Sequence, residues 1–208
     1  RDRCETERRR TEATERVART GGTPILVSSS KEVRRCLVVL DAQEWILGLD
    51  LHPYDGPQLT NSIRSLVDTY RAASDPIIWV QFLRLDGSDG GTQGGGRIVK
   101  ACGIEPGDQV VTKFGVDAFL GTTLNSKLKE LGVRDLTLAG VSTAHAVQQT
   151  AVPGAALGFE IKIYAPACSS LSLIEHQRSL EGLSNVPRVN VLETEIQKGS
   201  DNGTNCNH

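Results

Sequence analysis

Apolar positions along the chain fall into short unbroken runs separated by stretches of helical spacing. Cys36-Leu37-Val38-Val39-Leu40 is continuous, as expected of a strand buried on both faces, and it stops at Asp41, followed by Ala42-Gln43. Residues 57–73 place Leu59, Ile63, Leu66, Val67 and Tyr70 on one helical face, with Pro57 suited to a first turn. Asp75-Pro76 ends that helix, and Ile77–Phe82 predicts a second buried strand. Residues 109–112 predict a third strand, ending at Lys113. A helix over 121–132 carries Leu124, Leu128 and Leu131 on one face and closes at Gly132. Residues 136–141 predict a strand that runs into Ser142 and Thr143, good N-cap types, and then a helix through 145–150. A strand over 160–164, a helix over 172–183 and a last strand over Val189–Leu192 complete the pattern.

Strands alternating with helical segments imply β-α-β units joined by right-handed crossovers. The predicted fold is α/β: a doubly wound, Rossmann-like parallel sheet of about six strands, flanked by helices. In such a sheet every strand's C-terminal end lies on one edge. Asp41, Lys113 and the turn at 142–146 all fall at such ends, so they can converge. Taken singly, each has a plainer explanation. An Asp after a strand commonly caps a helix or forms a turn, and a lone Lys is usually solvated.

The length, 208 residues, suits one domain with tails. A net charge of −2 calls for no nucleic-acid partner, and no apolar run is long enough to span a bilayer. Five Cys at no metal-like spacing fit reduced thiols better than a disulfide framework. With no signal-peptide core visible, a soluble, cytoplasmic protein is expected. The chain contains no Met, even at position 1, so a longer native product is expected. Residues 1–30 form a charged N-terminal appendage, 31–196 the main domain and 197–208 a polar tail; the sequon Asn202-Gly203-Thr204 in that tail is a chance match. The glycine-rich stretch 85–97 lacks the Lys-Ser/Thr of a P-loop and does not join strand to helix as a dinucleotide fingerprint does. A mobile loop or lid is the expectation there.

Residues 134–151 carry a family resemblance. Gly140, Val141, Thr143, Val147, Thr150 and Ala151, followed by Leu157-Gly158-Phe159, are similar to the active-site turn of the isochorismatase-like (cysteine hydrolase) superfamily. The segments around Asp41 and Lys113 resemble that family's aspartate and lysine strands, and the likeness extends over residues 33–194. The resemblance implies a triad of Asp41, Lys113 and a nucleophilic Cys. The family's thiolate attacks a carbonyl, the Asp carries protons, the Lys lowers the thiol pKa, and backbone amides receive the oxyanion. Here Ala146 stands in the Cys position. The same resemblance implies a cis Val141–Ser142 peptide, with the backbone at Val141, Ser142 and Ala146 forming the oxyanion site. It also implies a pocket including Gln43, Phe114, Phe119 and His145. Tyr54 and Trp79, as aromatics, are further candidates for apolar walls.

Three readings of Ala146 stay open. Some members that cleave the vinyl ether of isochorismate lack the Cys and use the Asp as general acid, and residues 174–180 resemble an element of those enzymes. A degenerate, binding-only member is the second, and an engineered Cys replacement the third. The expected reaction is hydrolysis of a small polar molecule, either that vinyl ether or a small amide. No cofactor is expected, and no metal, since Asp50-Leu51-His52 lacks further ligands. A homo-oligomer is expected, with neighbours helping to cover the site; no nucleic-acid or membrane partner is expected.

Overall fold

The computed structural model describes residues 34–86 and 96–193. The charged appendage, most of the glycine-rich stretch and the polar tail lie outside the described residues, as does the lid expectation.

Six parallel strands form one sheet in the order β3-β2-β1-β4-β5-β6. They are β1 (Arg34–Leu40), β2 (Ile77–Phe82), β3 (Gln109–Lys113), β4 (Val133–Val141), β5 (Glu160–Ser169) and β6 (Val189–Leu192). Five helices join or precede them: α1 (Glu44–Leu47), α2 (Gly56–Ala72), α3 (Leu124–Glu130), α4 (Gln148–Ala156) and α5 (Leu173–Ser184). This is the doubly wound α/β architecture, with its topological switch between β1 and β4.

The unbroken apolar runs follow from burial on both faces. Cys36, Val38 and Leu40 point into one core with Leu124 and Leu128 of α3, Ala151 of α4 and Leu183 of α5. Leu37 and Val39 point into the other, with Leu59, Ile63, Val67 and Tyr70 of α2. A capping box sets the start of α2: the Asp55 carboxylate accepts from Gln58 N–H, and the Gln58 side chain accepts from Asp55 N–H.

The elements differ from the sequence expectation at their ends. Gly121 takes a left-handed φ of +68°, so α3 begins only at Leu124 rather than at 121. β5 continues five residues past 164, to Ser169, which lengthens the edge above the switch point. The turn after β4 is a π-helical turn, Thr143–Val147, and regular helix begins only at Gln148. The short α1 carries too few residues for any periodicity to reveal it. Among the described residues no helix is long and apolar enough to cross a membrane.

Candidate active site

Asp41 leaves β1 with a left-handed φ of +55°. Its N–H donates to Val80 O at 2.9 Å, so the ladder to β2 holds until the chain turns. Lys113 ends β3, two strands away, a lateral gap of about 10 Å at ordinary strand spacing. A long side chain is required to cross it. The Lys113 ammonium passes over the end of β2, meets Asp41 Oδ2 at 2.8 Å and donates to Val116 O at 2.8 Å. Both side chains are buried, Lys113 at 1% exposure. The second carboxylate oxygen, Asp41 Oδ1, is buried with no hydrogen-bond partner. Burial pushes the Asp41 carboxyl up to about 6, against the pull of the Lys113 ammonium.

The third strand end is brought close by a glycine. Gly140 pairs with Leu40 across the β1–β4 ladder at φ +126°, and a Cβ there would fall 1.9 Å from Leu40 O. Only glycine allows the two backbones to approach so closely at the switch point. The Val141–Ser142 peptide that follows is cis. Ser142 O then accepts from His145 N–H at 3.2 Å and Val147 N–H at 3.0 Å, the second closing the wide π-helical turn.

Two side chains from outside fix that turn. Ser170 Oγ accepts from Ala144 N–H at 3.1 Å. His176 Nδ1, reaching in from α5, lies 2.9 Å from Thr143 Oγ1, and both residues are buried. Burial holds the His176 pKa below its ordinary value, which favours a neutral ring in that hydrogen bond. The sequence pattern around His176 was visible as part of the family resemblance, but its partner was not. At the mouth, Ser142 Oγ lies 2.9 Å from His145 Nδ1.

These elements form an open cavity of about 190 Å³ lined by Asp41, Lys113, Val141, Ser142, His145 and Ala146. The three strand ends thus meet in one place. The rest of the wall is apolar: Trp45, Ile46 and Leu49 around α1, Phe82 at the end of β2, Val116, and Leu171 after β5. Sequence reasoning missed these wall residues. Phe82 ends β2 and Val116 follows β3, so the edge rule that found Asp41 pointed to both; Leu171 follows a strand end that the sequence expectation places at 164.

Three expected pocket residues do not line the cavity. Gln43 is fully buried as a staple: its amide donates to Phe82 O at 3.0 Å and Gly96 O at 2.6 Å, and accepts from Phe82 N–H at 2.8 Å. Phe119 turns into the core and stacks on Phe159 with ring centroids 5.8 Å apart. Phe114 is half-exposed. Tyr54 and Trp79 also serve the fold: the Tyr54 side chain packs against the core while its backbone exchanges hydrogen bonds with Ser169 Oγ, and the Trp79 indole donates to Asp108 at 3.0 Å.

Among the described residues no group of three or more His, Cys, Asp or Glu is placed to hold a metal ion. Cys36, Cys102 and Cys168 are buried, with thiols pushed up to about 12, 11 and 12, so none is a thiolate nucleophile near neutral pH.

Comparison with known proteins agrees with this fold. The isochorismatase domain model matches residues 35–195, and the chain belongs to the isochorismatase family. It is similar to the uncharacterised isochorismatase family protein YwoC of Bacillus subtilis, 28% identical over 176 residues, covering 77% of this chain and 90% of that one. It is 28% identical over 177 residues to the secreted isochorismatase effector Isc1 of Verticillium dahliae, covering 84% of this chain and 88% of that one. Among solved structures, an isochorismatase family protein from Burkholderia thailandensis superposes with a TM-score of 0.66 at 25% identity, over 74% of this chain and 90% of that chain.

Proposed function

We propose that this isochorismatase-family chain is a hydrolase that cleaves a small molecule by proton transfer from Asp41 and attack of water, with no covalent enzyme intermediate. One observation carries the reading: Asp41 Oδ1 is buried and unpartnered while Oδ2 is held by Lys113. A carboxyl fixed on one oxygen and free on the other is suited to passing a proton to a bound molecule. Ala146, at 3% exposure, lines the same cavity and leaves room where a thiol side chain would stand.

For a vinyl ether the steps balance as follows. Protonated Asp41 gives its proton to the terminal alkene carbon, leaving an oxocarbenium ion. Water adds to that cation and loses a proton back to Asp41, and the hemiketal collapses to a carbonyl compound and an alcohol. As the hemiketal collapses, backbone amides at Ser142 and Ala146 serve as donors to the departing oxygen, which gains negative charge and then its proton. Amide hydrolysis by the thiol route lacks its nucleophile, and loss of one member of such a unit costs about 10⁴–10⁶ in kcat. Self-association belongs to the same reading, since Leu49, Val116 and Leu171 are apolar and 40%, 47% and 54% exposed around the cavity. Light scattering that finds only monomer removes that part.

The test is an assay of the chain, Asp41→Asn and Ala146→Cys against isochorismate, an uncharged aryl vinyl ether and a panel of small amides. Vinyl-ether turnover by the unaltered chain, abolished in Asp41→Asn, is the expected result. Amide turnover appearing only in Ala146→Cys marks a cysteine hydrolase that lacks its nucleophile. No turnover by any of the three, with ligand still binding, leaves a binding-only member and defeats the proposal.

A further inference from the structure

We infer that Ser142 and His145 form a second catalytic pair, a nucleophilic hydroxyl and its general base, that hydrolyses activated esters through an acyl-Ser142 intermediate. The water route through Asp41 uses neither side chain, so this activity goes beyond that reading.

Ser142 stands at the N-cap of the π-helical turn, where a serine hydroxyl ordinarily accepts from the backbone N–H of the second or third residue that follows. Here it makes no such bond. Those two donors are taken elsewhere: Ala144 N–H goes to Ser170 Oγ at 3.1 Å, and His145 N–H goes to Ser142 O at 3.2 Å. Capping is thus delegated to the fully buried Ser170, and the Ser142 hydroxyl is released. Among the described residues its one partner is His145 Nδ1, at 2.9 Å. That distance is the reach of a nucleophile and its base. The neutral ring protonated on Nε2 leaves Nδ1 to accept from the hydroxyl.

The two residues are joined twice, through backbone and through side chain, so the ring is held against the hydroxyl. Both line the open cavity, Ser142 half-buried and His145 exposed, and an acyl compound entering it meets the hydroxyl. Lys113 is engaged with Asp41, and Cys36, Cys102 and Cys168 are buried, so none of them competes as nucleophile.

The reaction balances with water as its only co-reactant. The hydroxyl proton passes to Nδ1 as Oγ bonds to the ester carbonyl carbon, whose π pair moves to oxygen. That pair returns, the ester C–O bond breaks, and the leaving oxygen takes the proton from Nδ1. Water then attacks the acyl carbonyl and gives a proton to Nδ1; Oγ departs and takes that proton back. A carboxylic acid and an alcohol are released. Activated esters are the substrate class because the ring's one hydrogen-bond partner among the described residues is Ser142. Without a carboxylate behind it, the ring is too weakly supported to expel an amine.

The test is p-nitrophenyl acetate with the full chain, followed by stopped-flow absorbance and by mass spectrometry of the protein and its peptides. A burst of about one nitrophenolate per chain is expected, with an acetyl group on Ser142. A fluorophosphonate probe, which needs no turnover, is expected to label the same serine. Ser142→Ala should lose the burst and both adducts. His145→Ala should acylate about a hundredfold more slowly, with added imidazole restoring part of the rate. Adducts confined to lysines or the amino terminus overturn the inference, as does failure of both reagents to mark Ser142. So does a His145→Ala burst as fast as the unaltered chain's, or one that imidazole does not rescue. Vinyl-ether turnover without labelling of Ser142 defeats this inference and leaves the Asp41 route intact. Labelling of Ser142 without vinyl-ether turnover does the reverse.

Discussion

Lys113 grips Asp41 by a single oxygen: Nζ lies 2.8 Å from Oδ2, and Oδ1 of the same buried carboxylate has no partner. The pair is therefore asymmetric, and in the proposed hydrolysis the unpaired oxygen is the one that passes the proton. With its carboxyl raised from 3.8 to about 6, protonated acid is still present in the neutral range. If that form is the reactive one, kcat/KM for a vinyl ether is level below pH 6 and falls about tenfold per unit above it. Initial rates from pH 5 to 8 check this. A rise to a plateau above 6 instead makes Asp41 a base.

Replacement of Lys113 by Met leaves the Asp41 carboxylate buried and unpaired. Breaking a buried pair in this way costs about 3–5 kcal/mol. The lower end is expected at pH 8, because Asp41 escapes part of the penalty by taking up a proton. Its folded pKa then lies still further above the unfolded value, so stability is lost as pH rises. Urea unfolding should show a smaller deficit at pH 5 than at pH 8, and an equal deficit at both would mean the charge on Asp41 is not involved.

At Gly140, addition of one methyl group brings a carbon to 1.9 Å from Leu40 O, at a φ of +126° that side chains avoid. Gly140→Ala is expected to lower stability by at least ~3 kcal/mol, since steric overlap and backbone strain act together. The β1–β4 strands must separate where the site is built, so any folded fraction should have lost cavity binding as well. A variant with native stability by thermal unfolding would show that the close approach is dispensable.

The Thr143–His176 hydrogen bond predicts a pH effect of opposite sign to that of Asp41. Burial depresses the His176 pKa below 6.5. The unfolded chain therefore binds the proton more readily, and this contribution to stability, complete above 6.5, is lost as pH falls. Asp41, raised above its unfolded value, contributes stability that is lost as pH rises from about 4 to about 6. His176→Gln removes only the first effect. Relative to the unaltered chain, that variant should gain stability between pH 7.5 and 5.5 in paired urea titrations. A constant difference would show that His176 does not titrate on unfolding.

The strand cores were legible because burial on both faces writes an unbroken apolar run, as at residues 36–40, and β2 and β6 were bounded to the residue. Convergence of Asp41 and Lys113 was legible for a topological reason, since parallel strands end on one edge. What failed was orientation within that edge. Gln43 sits two residues past β1, yet its side chain turns inward to hold Phe82 and Gly96, and no local pattern records which way a turn residue points. Phe119 was expected in the pocket from the family resemblance, while its position against Phe159 and Gly154 depends on elements far away in sequence. The π-helical turn was likewise hidden, because Ser142 and Thr143 have the composition of an ordinary helix start.

Asp41 occupies a conformation that suits glycine and carries a charge into the interior. Both properties weaken the fold in any chain that makes no use of them. A protein whose site had fallen silent would be free to shed them, and substitution would favour the loss. Joint replacement by Asn at 41 and Met at 113 removes the ion pair without stranding either charge. Such a variant should be inert toward a vinyl ether and melt higher than the unaltered chain. A gain in melting temperature would measure how much robustness this polypeptide forgoes to keep an acid poised at its centre.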